Sequence, residues 1–287
     1  MSGTPFAVST YLFHPHRLDR EHLVHVAAHG FDAIELFALR SHFDYWDPAA
    51  VEQLAEWLDD TRLTLAAVHA PTALGADARG LHGTISIASS RAEARVRAVD
   101  EIRQTLELAK VLTFSQLVVH VGVPDSEASR EDNDNGAARH SLERMVEMAN
   151  ASGVSLALEL AANHLSTPDA LIELIEDVLE SPAAGICLDV GNARLLGDPV
   201  DAIEAASGHI VAAHVHDTRG ARVEHLVPYH GSIDWARTLL AFQKVGYSGP
   251  WTFELAPGPP AETLARAAEA RQRFAQRLGI NDELMSQ

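Results

Sequence analysis

The stretch AAHVHD (212–217) closes an apolar run on two imidazoles and a carboxylate. The pattern recurs along the chain: AIEL carries Glu35, AVHA His69, VVHV His120, ALEL Glu159, CLDV Asp189 and TFEL Glu254. Any one of these has a plain explanation, a hydrogen-bonded core histidine or a glutamate paired with an arginine. The set does not, because no Lys or Arg accompanies it in these runs. Three carboxylates (Glu159, Asp189, Glu254) with several imidazoles can be buried together only if a cation or protons balance them. The donor set is rich in oxygen, with one imidazole, and suits a single divalent ion. Mn²⁺ is the first choice, and Mg²⁺, Co²⁺ and Zn²⁺ also fit. Cys187, two residues before Asp189, reads as a small packing residue rather than a ligand.

Such a cluster needs a scaffold that points several strand ends at one place. Eight β-like runs occur, at 6–13, 33–37, 63–70, 116–122, 154–160, 185–191, 209–216 and 250–256. Most are continuously apolar, as parallel strands covered on both faces are. Helical patterns alternate with them. Val96, Val99, Ile102 and Leu106 recur at helix spacing within 91–110, and Leu171, Leu174, Ile175 and Val178 do so within 168–180. Thr167 followed by Pro168 is an N-terminal helix signal. Gly30, Gly153 and Gly246 precede strands as helix stops. Eight strand–helix units without a linker predict one (β/α)₈ TIM barrel domain over residues 1–287. A doubly wound open sheet is disfavoured, since no Gly-rich phosphate loop follows the first strand. The stretches 71–86 and 124–136 read as long loops on the face where barrels carry their sites.

Strand parity then sorts side chains. Leu156, Leu158 and Leu160 share one parity and face the helices, so Ala157 and Glu159 face inward. The same reasoning turns Glu35, His69, His120, Cys187, Asp189, His214, His216 and Glu254 inward.

Composition excludes several functions. The net charge of −18 (22 basic against 40 acidic residues) repels phosphate backbones, so no nucleic acid partner is expected. A single cysteine fits a reducing compartment. The start MSGTPFAVST lacks a signal-peptide pattern, and no apolar run approaches a membrane span, so a cytoplasmic protein without membrane partners is expected.

Taken in order, FDAIEL, VHAP, VVHVG, ALEL, CLDVGNA, AAHVHD, HLVPYHGSIDW and WTFEL resemble the xylose isomerase-like TIM barrels over nearly the whole chain. This superfamily holds sugar and sugar-phosphate isomerases and epimerases, inosose dehydratase-like enzymes and endonuclease IV-type enzymes. The resemblance implies one metal held by Glu159, Asp189, His214 and Glu254. It also implies that Glu159 and Glu254 act as a catalytic acid/base pair on opposite faces of a small carbohydrate substrate, through an enediolate. Glu35, His69, His120, Asn192, His216 and His225 are then expected to contact substrate, with His216 also in reach of ligand carboxylates. Asp217 is expected to orient a ligand side chain.

Two departures stand out. Asn192 replaces a frequent histidine, and the family's HLPPGxG loop reads HLVPYHG, with Tyr229 at a usual glycine. An endonuclease reading needs three metals. His69 and His120 match two of its ligands, but Asn192 and Val223 replace two others, which sets that reading aside. Dehydration or hydrolysis on the same site, and a sugar-binding protein with a degenerate site, are the competing readings. Arg219 and Arg222 are the nearest basic residues to the cluster. Read as solvated loop charges, they favour an unphosphorylated sugar or a sugar acid. The exposed faces of barrel helices leave a homo-oligomer open.

Overall fold

The apolar runs pair side by side, each in parallel with the next, until the sheet closes on itself. The computed structural model describes residues 6–77, 80–181 and 184–280. Its strands are β1 (Phe6–Ser9), β2 (Ala33–Phe37), β3 (Thr64–His69), β4 (Ala73–Asp77), β5 (Gly80–Thr84), β6 (Gln116–His120), β7 (Ser155–Glu159), β8 (Gly185–Asp189), β9 (Ile210–Val215) and β10 (Trp251–Phe253). The barrel runs β1-β10-β9-β8-β7-β6-β3-β2, and β4 with β5 forms a separate antiparallel hairpin. Nine α-helices are described around it: α1 (Arg20–Ala28), α2 (Pro48–Thr61), α3 (Ala92–Glu107), α4 (Asn135–Ala151), α5 (Pro168–Leu174), α6 (Val190–Leu196), α7 (Pro199–Ala205), α8 (Trp235–Lys244) and α9 (Pro260–Leu278). This is the (β/α)₈ barrel expected from the alternation. Among the described residues no helix is long and apolar enough to cross a membrane.

Parity divides the core in two. Leu156, Leu158, Ile186, Leu188, Ala213 and Val215 belong to the large cluster that packs the strands against the helices. Ala67, Val118, Ala157, Cys187 and Ala212 form a second, small cluster inside the barrel. Each of these five stands two residues before a polar one: His69, His120, Glu159, Asp189 and His214. The barrel interior is thus layered. A floor of small apolar side chains supports a polar layer at the C-terminal ends of the strands. Register levels that layer, pairing His120 with Glu159 and Asp189 with His214.

Several expected strands are shorter in the structure, the last reduced to Trp251–Phe253, and three segments differ for a local reason. The first strand stops at Ser9, and Thr10–Phe13 turns into a 3₁₀ helix as the Ser9 hydroxyl accepts from the Tyr11 N–H. The strand at 185–191 ends at Asp189, whose carboxylate caps α6 by accepting from the Asn192 N–H at 2.6 Å. The segment 71–86 is not all loop, since it holds the β4–β5 hairpin. That hairpin is glycine-rich and largely exposed, so it lacks the alternation that marks a half-buried strand.

After β9 the chain is pinned by Asp217. Its fully buried carboxylate accepts from the Thr218, Tyr229 and Ile233 N–H groups and from Trp235 Nε1–H, at 2.8–3.1 Å. Gly231 is required here, because a Cβ would stand 2.2 Å from Asp217 Oδ1. The backbone at Tyr229 is left-handed (φ 74°), which accounts for the glycine usual there. Its ring leans on Trp235 and Phe274 with Arg273 above it, so it packs on α9 rather than reshaping the pocket. Asp217 therefore orients a loop, not a ligand side chain.

Replacing Asp217 with Asn puts an amide NH₂ among these donors. Asp217→Asn is expected to lower stability in urea unfolding by about 2–3 kcal/mol, the range for a broken buried network. A loss under about 0.5 kcal/mol would show that the loop is held by other contacts.

Candidate active site

The polar layer converges on a cavity of about 640 Å³ at the C-terminal mouth of the barrel. Tyr11, Phe37, His69, His120, Glu159, Asn192, His225 and Glu254 are on its wall, as is Leu81 of the hairpin. Below the wall lie Glu35, Asp189, His214 and His216, each with no exposed surface.

Glu159, at the end of β7, is the hub. Its Oε2 accepts from His69 Nε2 at 3.0 Å and faces His120 Nε2 at 2.8 Å, while its Oε1 accepts from His214 Nδ1 at 2.9 Å. His214 has a carboxylate on either side, since its Nε2–H donates to Glu35 Oε2 at 2.9 Å. Glu254 Oε2 lies 3.6 Å from His214 Nδ1 and 3.4 Å from His225 Nδ1. Just past the end of β9, His216 Nε2–H donates to Asp189 Oδ2 at 2.9 Å. Glu159, Asp189, His214 and Glu254 each offer one ligand atom, all within 4.8 Å of one another. These are the four that the resemblance named, and parity turns all four inward. The sets His69–Glu159–His214 and His216–His225–Glu254 meet the same spacing.

The other expected contacts divide in two. His69, His120, Asn192 and His225 reach the cavity. Glu35 and His216 do not line it; Glu35 meets His214, and His216 meets Asp189. Their neighbours are ligand candidates rather than substrate. Tyr11 went unremarked in the sequence. The 3₁₀ turn brings its ring to 5.1 Å from Phe37 and 5.0 Å from His225 on the cavity wall.

Protonation follows from these contacts. Burial favours the neutral form of every group, but the charges between them outweigh it for most. Imidazoles hold Glu159 well below the usual carboxylate range despite its burial, chiefly His120 and His214. His214 holds Glu35 low in the same way, and His216 holds Asp189 low. Burial would lower His214, yet the surrounding carboxylates raise it well above an ordinary histidine. His69 rises to about 9, as Glu159 overcomes its burial. Glu254 is the exception among the carboxyls. Burial, with Glu159 adding to it, pushes it up to about 7, although His214 opposes the shift. The site thus holds three carboxylates kept ionised and one able to carry a proton near neutral pH. Burial also pushes the Cys187 thiol up, so it stays protonated and supplies no ligand.

The four-residue set fits a divalent cation. It is buried, it converges, and among the described residues its charge is balanced by no Lys or Arg side chain, only by protons on imidazoles. Two buried acceptor atoms, Glu35 Oε1 and His216 Nδ1, find no partner among the described residues.

A family model for the xylose isomerase-like TIM barrel matches residues 23–276. An uncharacterized protein of Methanocaldococcus jannaschii is 30% identical over 259 residues, 87% of this chain and 83% of that one. The L-ribulose-5-phosphate 3-epimerase UlaE of Salmonella paratyphi A is 25% identical over 245 residues, 84% of each chain. The crystal structure of a D-tagatose 3-epimerase-like protein superposes with a TM-score of 0.76 at 24% identity, covering 98% of this chain and 99% of that one.

A cation entering the set must displace the protons on His214 and Glu254, both shifted upward. Affinity for Mn²⁺ is therefore expected to rise from pH 6 to pH 8, with protons released on binding. Calorimetry in two buffers of different ionisation enthalpy measures that release. Binding without proton release at pH 6.5 would contradict the charge arrangement.

Proposed function

The chain belongs to the xylose isomerase-like TIM barrel family, and on that footing we propose that it is a metal-dependent epimerase or isomerase of a small sugar. The observation that carries this reading is the convergence of Glu159, Asp189, Glu254 and His214, with ligand atoms within 4.8 Å, on the floor of an open cavity. The sugar-phosphate epimerase among the similar chains supports it.

Glu159, Asp189, His214 and Glu254 are the residues that would hold the metal, with Mn²⁺ the first choice for this donor set. A divalent cation bound there supplies polarisation of the sugar's carbonyl and neighbouring hydroxyl, which acidifies the C–H between them. The remaining work belongs to the side chains. Glu159, kept ionised by its imidazoles, takes the proton from carbon. Glu254, the other member of the acid/base pair, returns one. Return on the opposite face inverts the carbon, and return to the neighbouring carbon moves the carbonyl. His69 and His120 fix the outer oxygen of Glu159, so its orientation does not change when the proton moves.

Glu35 and His216 act through others. By accepting from His214 Nε2–H, Glu35 keeps the Nδ1 side of the ring turned to the carboxylates. His216 does the same for Asp189, leaving its other oxygen to cap α6. Such partners set the tautomer, direction and basicity of the ligands they touch. Tyr11, Phe37, Asn192 and His225 form the wall against which the sugar lies. Asn192 can hydrogen-bond a hydroxyl, but it cannot exchange a proton with one.

The test is solvent exchange. The Mn²⁺-loaded protein in D₂O, given a panel of ketoses and ketose phosphates, is expected to place deuterium on one carbon without loss of water. Glu159→Gln and Glu254→Gln should each slow this by about 10²- to 10⁴-fold, the usual scale of a lost acid or base. Exchange that survives both substitutions, or that proceeds with water loss, would overturn the epimerase reading.

A further inference from the structure

The loop between β9 and α8 carries two arginines, and the structure treats them differently. Arg219 is consumed locally. Its Nη1–H donates to Glu224 Oε1 at 2.8 Å, and its backbone N–H donates to Glu224 Oε2 at 2.7 Å. Thr218 knots the same turn, its hydroxyl meeting the Arg222 carbonyl and the Gly220 N–H. Glu224, the acid nearest in sequence to Arg222, is thereby engaged by Arg219. Arg222 is left on the cavity wall. Its guanidinium has no hydrogen-bond or ion-pair partner among the described residues.

Among the described residues lining the cavity, Arg222 is the only arginine or lysine. The chain is strongly acidic, yet this cation is placed at its reactive site and left unpaired. It is also held in place. Thr218 fixes its backbone, and the loop is tied at Asp217 to the buried network below it. Arg222 is exposed at the rim with only its backbone held, and a planar guanidinium there can take a carboxylate or phosphate through two parallel N–H donors. Arg222 stands at the rim and Glu159 and Glu254 deeper on the wall, so an anionic group held by Arg222 leaves the uncharged end of a substrate to go inward. At about 640 Å³ the cavity lies well inside the range of small-molecule sites, about 300–1,000 Å³, and leaves room for a sugar with a terminal substituent. Glu127, the other charged side chain on the upper wall, stands close enough to Tyr11 for its charge to act on that hydroxyl, and suits sugar hydroxyls as an acceptor.

We propose that Arg222 is the specificity-determining residue of this site and binds an anionic group, carboxylate or phosphate, at the end of the sugar remote from Glu159 and Glu254. This rests on the epimerase reading above, but is tested apart from it. Both arginines are exposed to solvent, as expected from sequence, and the proposal gives Arg222 a ligand in addition.

The Mn²⁺-loaded protein and its Arg222→Gln and Arg222→Lys variants are given one ketose in three forms: neutral, terminal phosphate and terminal carboxylate. Solvent-deuterium incorporation is the readout. The wild type is expected to prefer one anionic form, and which form it prefers identifies the substituent. In Arg222→Gln the ratio of kcat/KM, anionic over neutral, should fall about 10- to 100-fold, the scale of a hydrogen bond to a charged group, mainly through KM. Arg222→Lys should restore part of it. A neutral sugar used as well as its anionic forms, with the ratio unmoved in Arg222→Gln, overturns the inference and leaves the epimerase reading intact. If no form exchanges, the epimerase reading fails. Calorimetry with a non-reacting polyol phosphate and polyol carboxylate then decides: binding that weakens in Arg222→Gln supports the inference, and no binding, or binding equal in both proteins, overturns it.

Discussion

Burying carboxylates without a cationic side chain is the constraint on which the rest of this structure depends. Among the described residues, Glu35, Glu159, Asp189 and Glu254 share the barrel mouth with no Lys or Arg to balance them, and imidazoles stand between. Desolvation of one isolated carboxylate already opposes folding. Four are tolerable because each is partnered by a ring nitrogen that can keep or release a proton. The arrangement holds protons in the absence of a cation and can exchange them for one. The same property suits it to the proton transfer of the proposed epimerisation.

The barrel meets this constraint with layers. A floor of Ala67, Val118, Ala157, Cys187 and Ala212 is small enough to fill the narrow interior while leaving the ring above it free for large polar side chains. Strand register sets the height of those side chains, and the helix-packed faces of the strands hold the register. Outside the ring, Asp217 spends its charge on the loop rather than on the centre. That loop supplies the wall with His225 and Arg222. Scaffold and site are thus joined at one buried carboxylate three residues beyond His214.

Much of this was legible in the sequence. Period-two alternation in continuous apolar runs fixed which residues face inward, and the inward set proved to be one connected network. What alternation cannot reveal is who touches whom across a ring. Glu35 and His214 are 179 residues apart, and their hydrogen bond depends on register and on barrel closure. Parity placed Glu35 and His216 inside, but not beneath the cavity wall. The β4–β5 hairpin left no trace because glycines and exposure erase the periodic signal. Arg219 and Arg222 look equivalent in the sequence, and only the geometry of the turn decides which of them Glu224 neutralises. Tyr229 shows the reverse case, where the usual glycine already pointed to the left-handed backbone that the structure has.

The central claim is that Glu159, Asp189, His214 and Glu254 together hold a single divalent ion. Crystals grown with Mn²⁺, measured at the manganese absorption edge, test it most directly. The account predicts one anomalous peak per chain within about 2.0–2.3 Å of a donor atom from each of these four residues, as first-row divalent ions require of carboxylate and imidazole ligands. A peak held instead by His69, His120 and Glu159, or the absence of any peak among the four, would contradict it.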